Sequence, residues 1–481
     1  MQLSPVLNIL GLLATILAAA MLIPMCVDLY LGSSDWHIFA LSALLTGFVG
    51  ISIWLATSRR EALDLGLRQA FLLTNGSWVM IGIFGSLPFM FSELHLSFTD
   101  SVFESISGIT TTGSTVLVEI EKASPGILIW RALLQWLGGV GIVVMAMAVL
   151  PMLSVGGMQL FRTESYERAE KVVPRATQLA GGIGLAYTAL TALWAMMLTF
   201  SGMDIFDAVA HSMTTLATGG YSTRTASIGA FDSVVIEWVI IAGMIVGSLP
   251  FAHYLAMVRG GWRGLLDDPQ VRWFLILIFG LVLMLCWHLM QNGLGLGDAI
   301  RQASFNGVSI ITGTGYVSAN FSAWGGFATT ILLIVMFIGG CGGSTTCGIK
   351  VFRLQVLAST VKVQISRLLR PHAVVLAYYN KRPVSGEVMD SVMGFFYLYI
   401  LGFVVIALFL GITGLDFVTA LSGAATSISN VGPGLGEVIG AEGNFSSIPD
   451  SAKWVMSFAM ILGRLEIFTV LVMLAPGFWQ R

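Results

Sequence analysis

The stretch Asp100-Ser-Val-Phe-Glu-Ser-Ile-Ser-Gly-Ile-Thr-Thr-Thr-Gly113-Ser-Thr runs from an acidic residue through about ten moderately apolar residues to a turn rich in Thr, Ser and Gly. The plan returns as Asp207-Ala-Val-Ala-His-Ser-Met-Thr-Thr-Leu-Ala-Thr-Gly219-Gly-Tyr-Ser, as Asp298 through Ile-Ile-Thr-Gly-Thr-Gly315-Tyr-Val-Ser, and as Asp416 through Ser-Ile-Ser-Asn-Val-Gly432-Pro-Gly. With Gly113, Gly219, Gly315 and Gly432 taken as equivalent, the units stand 106, 96 and 117 residues apart. Recurrence at a near-fixed period means one structural unit used several times. Ten to twelve residues make a helix of about 15–18 Å, roughly half a bilayer. Each Asp sits where an N-cap or first-turn anion is favourable. Each helix then points the negative end of its dipole into the membrane, and four such ends around one axis favour a cation. A turn of small residues lets backbone carbonyls face that axis, and rings of carbonyls can replace an ion's hydration shell. One such turn is an ordinary loop; four of them, each after an Asp-led half-helix and between apolar spans, read as a pore.

Composition supports the membrane setting. Of 481 residues, 56 % are hydrophobic and 10 % charged, with a mean hydropathy of +0.86. A soluble domain carries about 25 % charged residues. A soluble enzyme, a disordered chain and a nucleic-acid-binding module are excluded, so no nucleic-acid partner is expected. Four cysteines argue against a disulfide scaffold. Only helices and closed barrels satisfy the backbone in lipid, and ten apolar stretches read as helices: roughly 5–30, 37–57, 69–92, 126–153, 177–201, 232–258, 270–291, 325–349, 390–412 and 453–477. The first lacks a basic n-region and is too long for a signal peptide, so it reads as a retained helix. With ten alternating spans, 18 of the 24 basic residues fall on one side: those of 58–68, 162–175, 259–272 and 350–382, together with Arg481. That side is expected to be cytoplasmic, with both termini on it. The opposite loops hold 15 acidic and four basic residues, which raises the local concentration of a cation.

Two features lie beneath the turns. The run Gly339-Gly-Cys-Gly-Gly-Ser-Thr-Thr-Cys-Gly348 interrupts the eighth stretch. Each Gly costs a helix about 1 kcal/mol relative to Ala, and the hydroxyls compete for backbone hydrogen bonds, so this segment should unwind. It has no Gly-Lys-Ser/Thr and is not a phosphate-binding loop; close packing against a neighbouring helix is the alternative. Arg464 and Glu466 lie mid-span, where charge is rare and functional by default. At i and i+2 they do not face each other. An Arg satisfied by carbonyls at a helix break is the plainer reading of Arg464. Glu104 and Arg131 are a candidate pair bracing the first pore helix. His211 and Arg301 read as supports, and Cys341 and Cys347 as small apolar residues.

The residues Ile109-Thr-Thr-Thr-Gly-Ser-Thr115, Ala217-Thr-Gly-Gly-Tyr221, Thr312-Gly-Thr-Gly-Tyr316, Asn430-Val-Gly-Pro-Gly434, the Gly-rich run before Lys350, and Gly463-Arg-Leu-Glu-Ile-Phe-Thr469 closely resemble the Trk/Ktr/HKT superfamily of potassium transporters, in particular its TrkH branch. The resemblance covers nearly the whole chain. It implies an all-α polytopic membrane protein with four M1–P–M2 pore-loop repeats around a central pore and two extra N-terminal transmembrane helices. On this parse the two helices occupy 1–62 and the repeats 63–165, 166–262, 263–380 (with a gating loop at 338–348) and 381–481. It implies K⁺ as the transported ion, held at a filter of Thr111, Thr112, Gly113, Ala217, Thr218, Gly219, Thr314, Gly315, Asn430, Val431 and Gly432. It implies weaker selectivity over Na⁺ than in a channel with Thr-Val-Gly-Tyr-Gly filters. It implies a gate of Gly339, Gly340, Gly342, Gly343, Ser344, Thr345, Thr346 and Arg464. It further implies a homodimer in the inner membrane of a prokaryote, regulated by a cytosolic TrkA-type ring that carries nucleotide-binding domains; no nucleotide motif and no organic cofactor site stands in this chain. Parallel repeats and few lone intramembrane acids favour channel-like movement. The alternative is a secondary K⁺ or Na⁺ symporter coupled to H⁺ or Na⁺. No catalytic motif points to an enzyme.

Overall fold

The computed structural model describes residues 3–58, 66–148, 156–157, 176–257, 261, 263–380 and 382–480. Arg59, Arg60, Arg162, Arg168, Lys171, Arg175, Arg259, Lys381 and Arg481 lie outside these residues. So do 149–153 and 258 of the expected spans and the expected boundary positions 62, 63, 165, 166, 262 and 381. The fold is a helical membrane bundle. Seven helices among the described residues are long and apolar enough to cross a bilayer: Ser4–Leu31, Trp36–Thr57, Leu67–Phe91, Pro125–Met147, Ala180–Phe200, Pro269–Gln291 and Gly386–Ile412. They expose Leu44, Phe48, Phe279 and Leu408 on their outer faces, a surface that only lipid solvates well.

Two further spans bend sharply where the apolar pattern suggests continuous helices. Val234–Gly247 meets Phe251–Met257 at 96°, and Asp450–Arg464 meets Ile467–Leu474 at 112°. At the first break Pro250 lacks an N–H and disfavours the helical conformation for Leu249. At the second, Glu466 takes φ +63°. The eighth stretch is helical only over Gly326–Val335; residues 336–350 contain no helix, and the chain resumes as Val351–Leu369. A two-residue ladder, Tyr378–Tyr379 with Arg382–Pro383, is the strand structure among the described residues.

Four half-membrane helices stand between the spans: Phe98–Ile109, Ile205–Leu216, Leu296–Ile311 and Phe417–Ser429. Their starts follow local capping. Ser97 accepts from the Asp100 N–H at 3.1 Å, Asp204 from Phe206 at 3.0 Å, and Asp416 from Val418 at 3.1 Å. Asp207 and Asp298 lie in first turns. The third helix has 16 residues rather than ten to twelve: it begins two residues before its Asp, as the first two do, and the extra length lies between Asp298 and the turn.

The N-terminal hairpin is closed within itself by a tight crossing and tied to the rest by a cap. The Gly126 N–H, in the first turn of the Pro125–Ala148 helix, donates to buried Asp28 at 2.6 Å. Gly50 meets the first helix so closely that a Cβ there would lie 2.8 Å from the Thr15 backbone nitrogen. Gly50→Ala is therefore expected to destabilise the protein by about 1–3 kcal/mol through overpacking. A lowered thermal midpoint of the detergent-purified variant checks this.

Candidate ion pathway

Each half-helix ends the same way. One residue takes a left-handed conformation, and the next N–H reaches back five residues. Thr111 (φ +53°), Thr218 (+50°), Gly313 (+70°) and Asn430 (+54°) are the left-handed residues. The N–H groups of Thr112, Gly219 and Thr314 donate to Ser107, Thr214 and Ser309 at 2.9 Å, and that of Val431 to Thr426 at 3.0 Å. This is the Schellman solution to a helix C-terminus. The following residue again has positive φ: Gly113 (+89°), Gly220 (+77°), Gly315 (+82°) and Gly432 (+108°).

The turns close on one another in order. A Cβ on Gly113 would run into the Gly219 carbonyl oxygen, one on Gly220 into that of Thr314, and one on Gly315 into that of Val431. One on Gly432 would lie 2.8 Å from the carbonyl oxygen of Thr112, which completes the circle. Gly113, Gly220, Gly315 and Gly432 together line a cavity of about 70 Å³. This register differs by one residue from the spacing-based one. Gly219 occupies the position of Thr112, Thr314 and Val431, and Gly220 that of the other three glycines. Ala217 is the C-cap of its half-helix, and Thr218 lies beside Thr111 in the pattern.

Buried side chains hold the ring from outside. Gln135 donates to the Gly219 carbonyl at 2.6 Å and accepts from the Tyr221 N–H at 3.0 Å. Ser114 donates to the Gly432 carbonyl and Asn430 to the Thr112 hydroxyl, each at 2.8 Å. Glu104 and Arg131, both fully buried, pair at 2.8 Å. Arg131 also donates to the Ser222 carbonyl at 2.8 Å and lies 4.0 Å over the Tyr221 ring, while Glu104 accepts from the Val116 N–H at 2.9 Å. His211 bonds the Asp207 carbonyl and the Ser222 hydroxyl at 2.7 and 2.9 Å. Arg301 stands 3.6 Å from Glu237. At the exposed mouth of the fourth half-helix, hydrogen bonds from the Thr419 hydroxyl and then from backbone N–H groups hold the Asp416 carboxyl below its usual range.

Beneath the ring the three broken spans converge. The Thr345 hydroxyl bonds the carbonyls of Leu216 and Gly247 at 3.1 and 2.9 Å and lies 3.1 Å from the Thr218 hydroxyl. The Cys341 N–H donates to Ser248 at 3.0 Å, Gly342 to the Gln270 side chain at 2.9 Å, and Gly340 to Thr346 at 3.1 Å. Ser344 lies 2.7 Å from Thr346. Gly339 and Gly343 carry positive φ, +73° and +76°. Arg464 ends the first half of the bent last span. It donates to the carbonyls of Thr345 and Gly138, each at 3.0 Å, and to the Cys347 sulfur at 2.9 Å. It thus sits on carbonyls at a helix break and also grips the unwound segment. Glu466 faces away from it, pairing with Arg353 and standing 3.7 Å from Lys350. Gln135, Gly220, Gly247, Ser248 and Glu466's partners are the contacts that sequence reasoning did not single out. Pro250 is a local break signal that the surrounding apolar run obscures; the others carry no local signature.

The family follows from comparison. A model of a cation transport protein family, TrkH, matches residues 37–480. The chain belongs to the TrkH family. It is 43 % identical over 479 residues to the Trk system potassium uptake protein TrkI of Halomonas elongata, covering 99 % of this chain and 97 % of that one. It is 37 % identical over 486 residues to the Trk system potassium uptake protein TrkH of Escherichia coli, covering 98 % and 99 %. Among solved structures, that of the potassium transporter TrkH from Vibrio parahaemolyticus superimposes with a TM-score of 0.91 at 36 % identity and covers 100 % of both chains. In this TrkH-family chain, removing one partner of a buried ion pair leaves the other charge stranded, at a cost of about 3–5 kcal/mol. Glu104→Gln is therefore expected to lower the melting temperature and the yield of folded protein sharply, as read by size-exclusion chromatography.

Proposed function

We propose that this chain takes up K⁺ across the cytoplasmic membrane of a prokaryote through the ring of turns. The single observation that carries the reading is the closed circle of carbonyl oxygens against glycines, at the ends of four half-helices whose dipoles favour a cation. The relatives' names as potassium uptake proteins supply the ion. The filter comprises Thr111, Thr112, Gly113, Ala217, Thr218, Gly219, Gly220, Thr314, Gly315, Asn430, Val431 and Gly432. On this reading the chain parses into two N-terminal helices and four repeats with the boundaries expected above, and the basic loops and both termini face the cytoplasm.

The gate is the unwound segment with Gly339, Gly340, Gly342, Gly343, Ser344, Thr345 and Thr346, braced by Arg464. Thr345 lies against the end of the second half-helix, and Arg464 adds a positive charge beneath the ring. Together they oppose a cation sterically and electrostatically. The helix Val351–Leu369 continues directly from this segment and exposes the apolar residues Val361 and Ile365 beside Lys362. That strip supports a homodimer, and its connection to the gate supports control by a cytosolic TrkA-type ring that carries the nucleotide.

The test is radioactive Rb⁺ uptake into proteoliposomes under a K⁺ gradient, with Na⁺ as competitor and with or without a proton gradient. Electrogenic uptake without a proton or Na⁺ requirement is expected; a strict requirement for either would install the coupled symporter instead. Two variants sharpen the assignment. Gly220→Ala should lower uptake about tenfold or more, since it adds a Cβ at positive φ against a backbone oxygen, whereas Gly219→Ala, at ordinary φ, meets the Gln135 side-chain amide rather than backbone and should be milder. Equal losses would restore the spacing-based register. Arg464→Ala should raise basal flux about tenfold, the scale of one lost charge-assisted hydrogen bond. Unchanged or lower flux at equal expression would remove Arg464 from the gate.

A further inference from the structure

The polypeptide itself joins the first repeat to the second, the second to the third and the third to the fourth. No chain connection spans the junction of the fourth with the first, so the circle of turns closes there by side-chain and backbone contacts alone. That junction is also the loosest of the four: a Cβ on Gly432 would lie 2.8 Å from the Thr112 carbonyl oxygen, farther than at the other three. Across it the Phe445 N–H donates to the Thr115 carbonyl at 2.9 Å. Lys453, at the start of the last span, is 4 % exposed and lies 2.6 Å from Asp100 in the first turn of the first half-helix, while also donating to the Ser446 carbonyl at 3.1 Å.

A buried cation at the mouth of a cation pathway opposes the ion's approach, and buried ion pairs are commonly no more stabilising than apolar residues of equal volume. Their best-attested use is to fix register. Asp100 is one end of a rigid rod, Phe98–Ile109, whose other end carries Thr111–Gly113. Holding that first end sets where the Thr112 carbonyl lies against Gly432. We propose that Lys453 is a positioning residue for ion selectivity: acting through Asp100, it sets the spacing of the ring at the one junction the chain does not span. The inference rests on the filter reading above.

The experiment compares Lys453→Met, Asp100→Asn, Lys453→Arg and Gly432→Ala as full-length protein in proteoliposomes. The readout is the concentration of Na⁺ that halves Rb⁺ uptake, with thermal stability measured alongside. Lys453→Met is expected to lower this concentration about threefold or more, Asp100→Asn to match it, and the double variant to add nothing further. Lys453→Arg, which retains a donor and charge for Asp100, restores the wild-type value. An unchanged value in Lys453→Met overturns the proposal, and should that variant fail to fold, Asp100→Asn decides on the same terms. If Gly432→Ala shifts the value while the Lys453 and Asp100 variants do not, only this inference fails. If Gly432→Ala also leaves it unchanged, the filter reading itself has failed.

Discussion

Four backbone oxygens occupy the places where four side chains would begin. Because Gly113, Gly220, Gly315 and Gly432 have no Cβ, each turn can approach the carbonyl of the next within van der Waals distance. That approach brings the half-helix ends together. Four like dipole ends repel one another, and the buried non-helical backbone must be satisfied inside the protein. The surrounding side chains meet this demand: Gln135, Ser114 and Asn430 bond ring residues directly, while Glu104–Arg131 and Lys453–Asp100 hold the first half-helix from behind. A second set of glycines serves the same closeness one layer down. Gly138, Gly247 and Gly463 each lie against the carbonyl of Ile109, Leu216 or Ile428 at or beside a half-helix end, where a Cβ would clash.

Much of this is legible in the pattern of residues, and the misses have physical causes. The Asp-led half-helices stand out because N-caps and first-turn acids are local signals. The unwound segment stands out because five glycines and three hydroxyls in ten residues leave little helix propensity. The second turn is harder: Gly219-Gly220 presents two glycines, and spacing alone cannot choose between them. The choice is made by φ and by the neighbouring Thr314 carbonyl, both products of the assembled ring. The bends at Ser248–Pro250 and Leu465–Glu466 were hidden by apolar residues that run on through the break, since hydropathy reports solvent and not direction. Lys350 and Arg353 count by position among the residues that orient a membrane protein. In the structure both are buried, where they neutralise Glu466.

The three breaks depend on one another. A helix interrupted in a membrane frees carbonyls and N–H groups with no water to take them. Here each break supplies what another lacks: Arg464 gives donors to the Thr345 and Gly138 carbonyls, Thr345 gives its hydroxyl to Gly247 and Leu216, and Cys341 gives its N–H to Ser248. Removing one partner leaves a buried group unmade, which costs more than the bond itself contributes on average. The segment is therefore held by mutual satisfaction, and moving it requires water or an ion to replace several partners together. Such a barrier suits the proposed gate better than a hinge that flexes freely.

The bend at Leu465–Glu466 explains how two charges so close in sequence serve opposite sides of Gly348. On a straight helix residues i and i+2 point about 160° apart into the same layer. A 112° bend instead sends Arg464 to Thr345 and Cys347 and Glu466 to Lys350 and Arg353, on either side of Gly348. The C-terminal end of the unwound stretch and the start of the helix that follows it are thus tied to one corner of the last span. Arg353 in Val351–Leu369 and the preceding Lys350 both face Glu466, two residues along the backbone from Arg464. The helix Val351–Leu369 is in this way linked, through Glu466 and the corner, to the guanidinium beneath the ring.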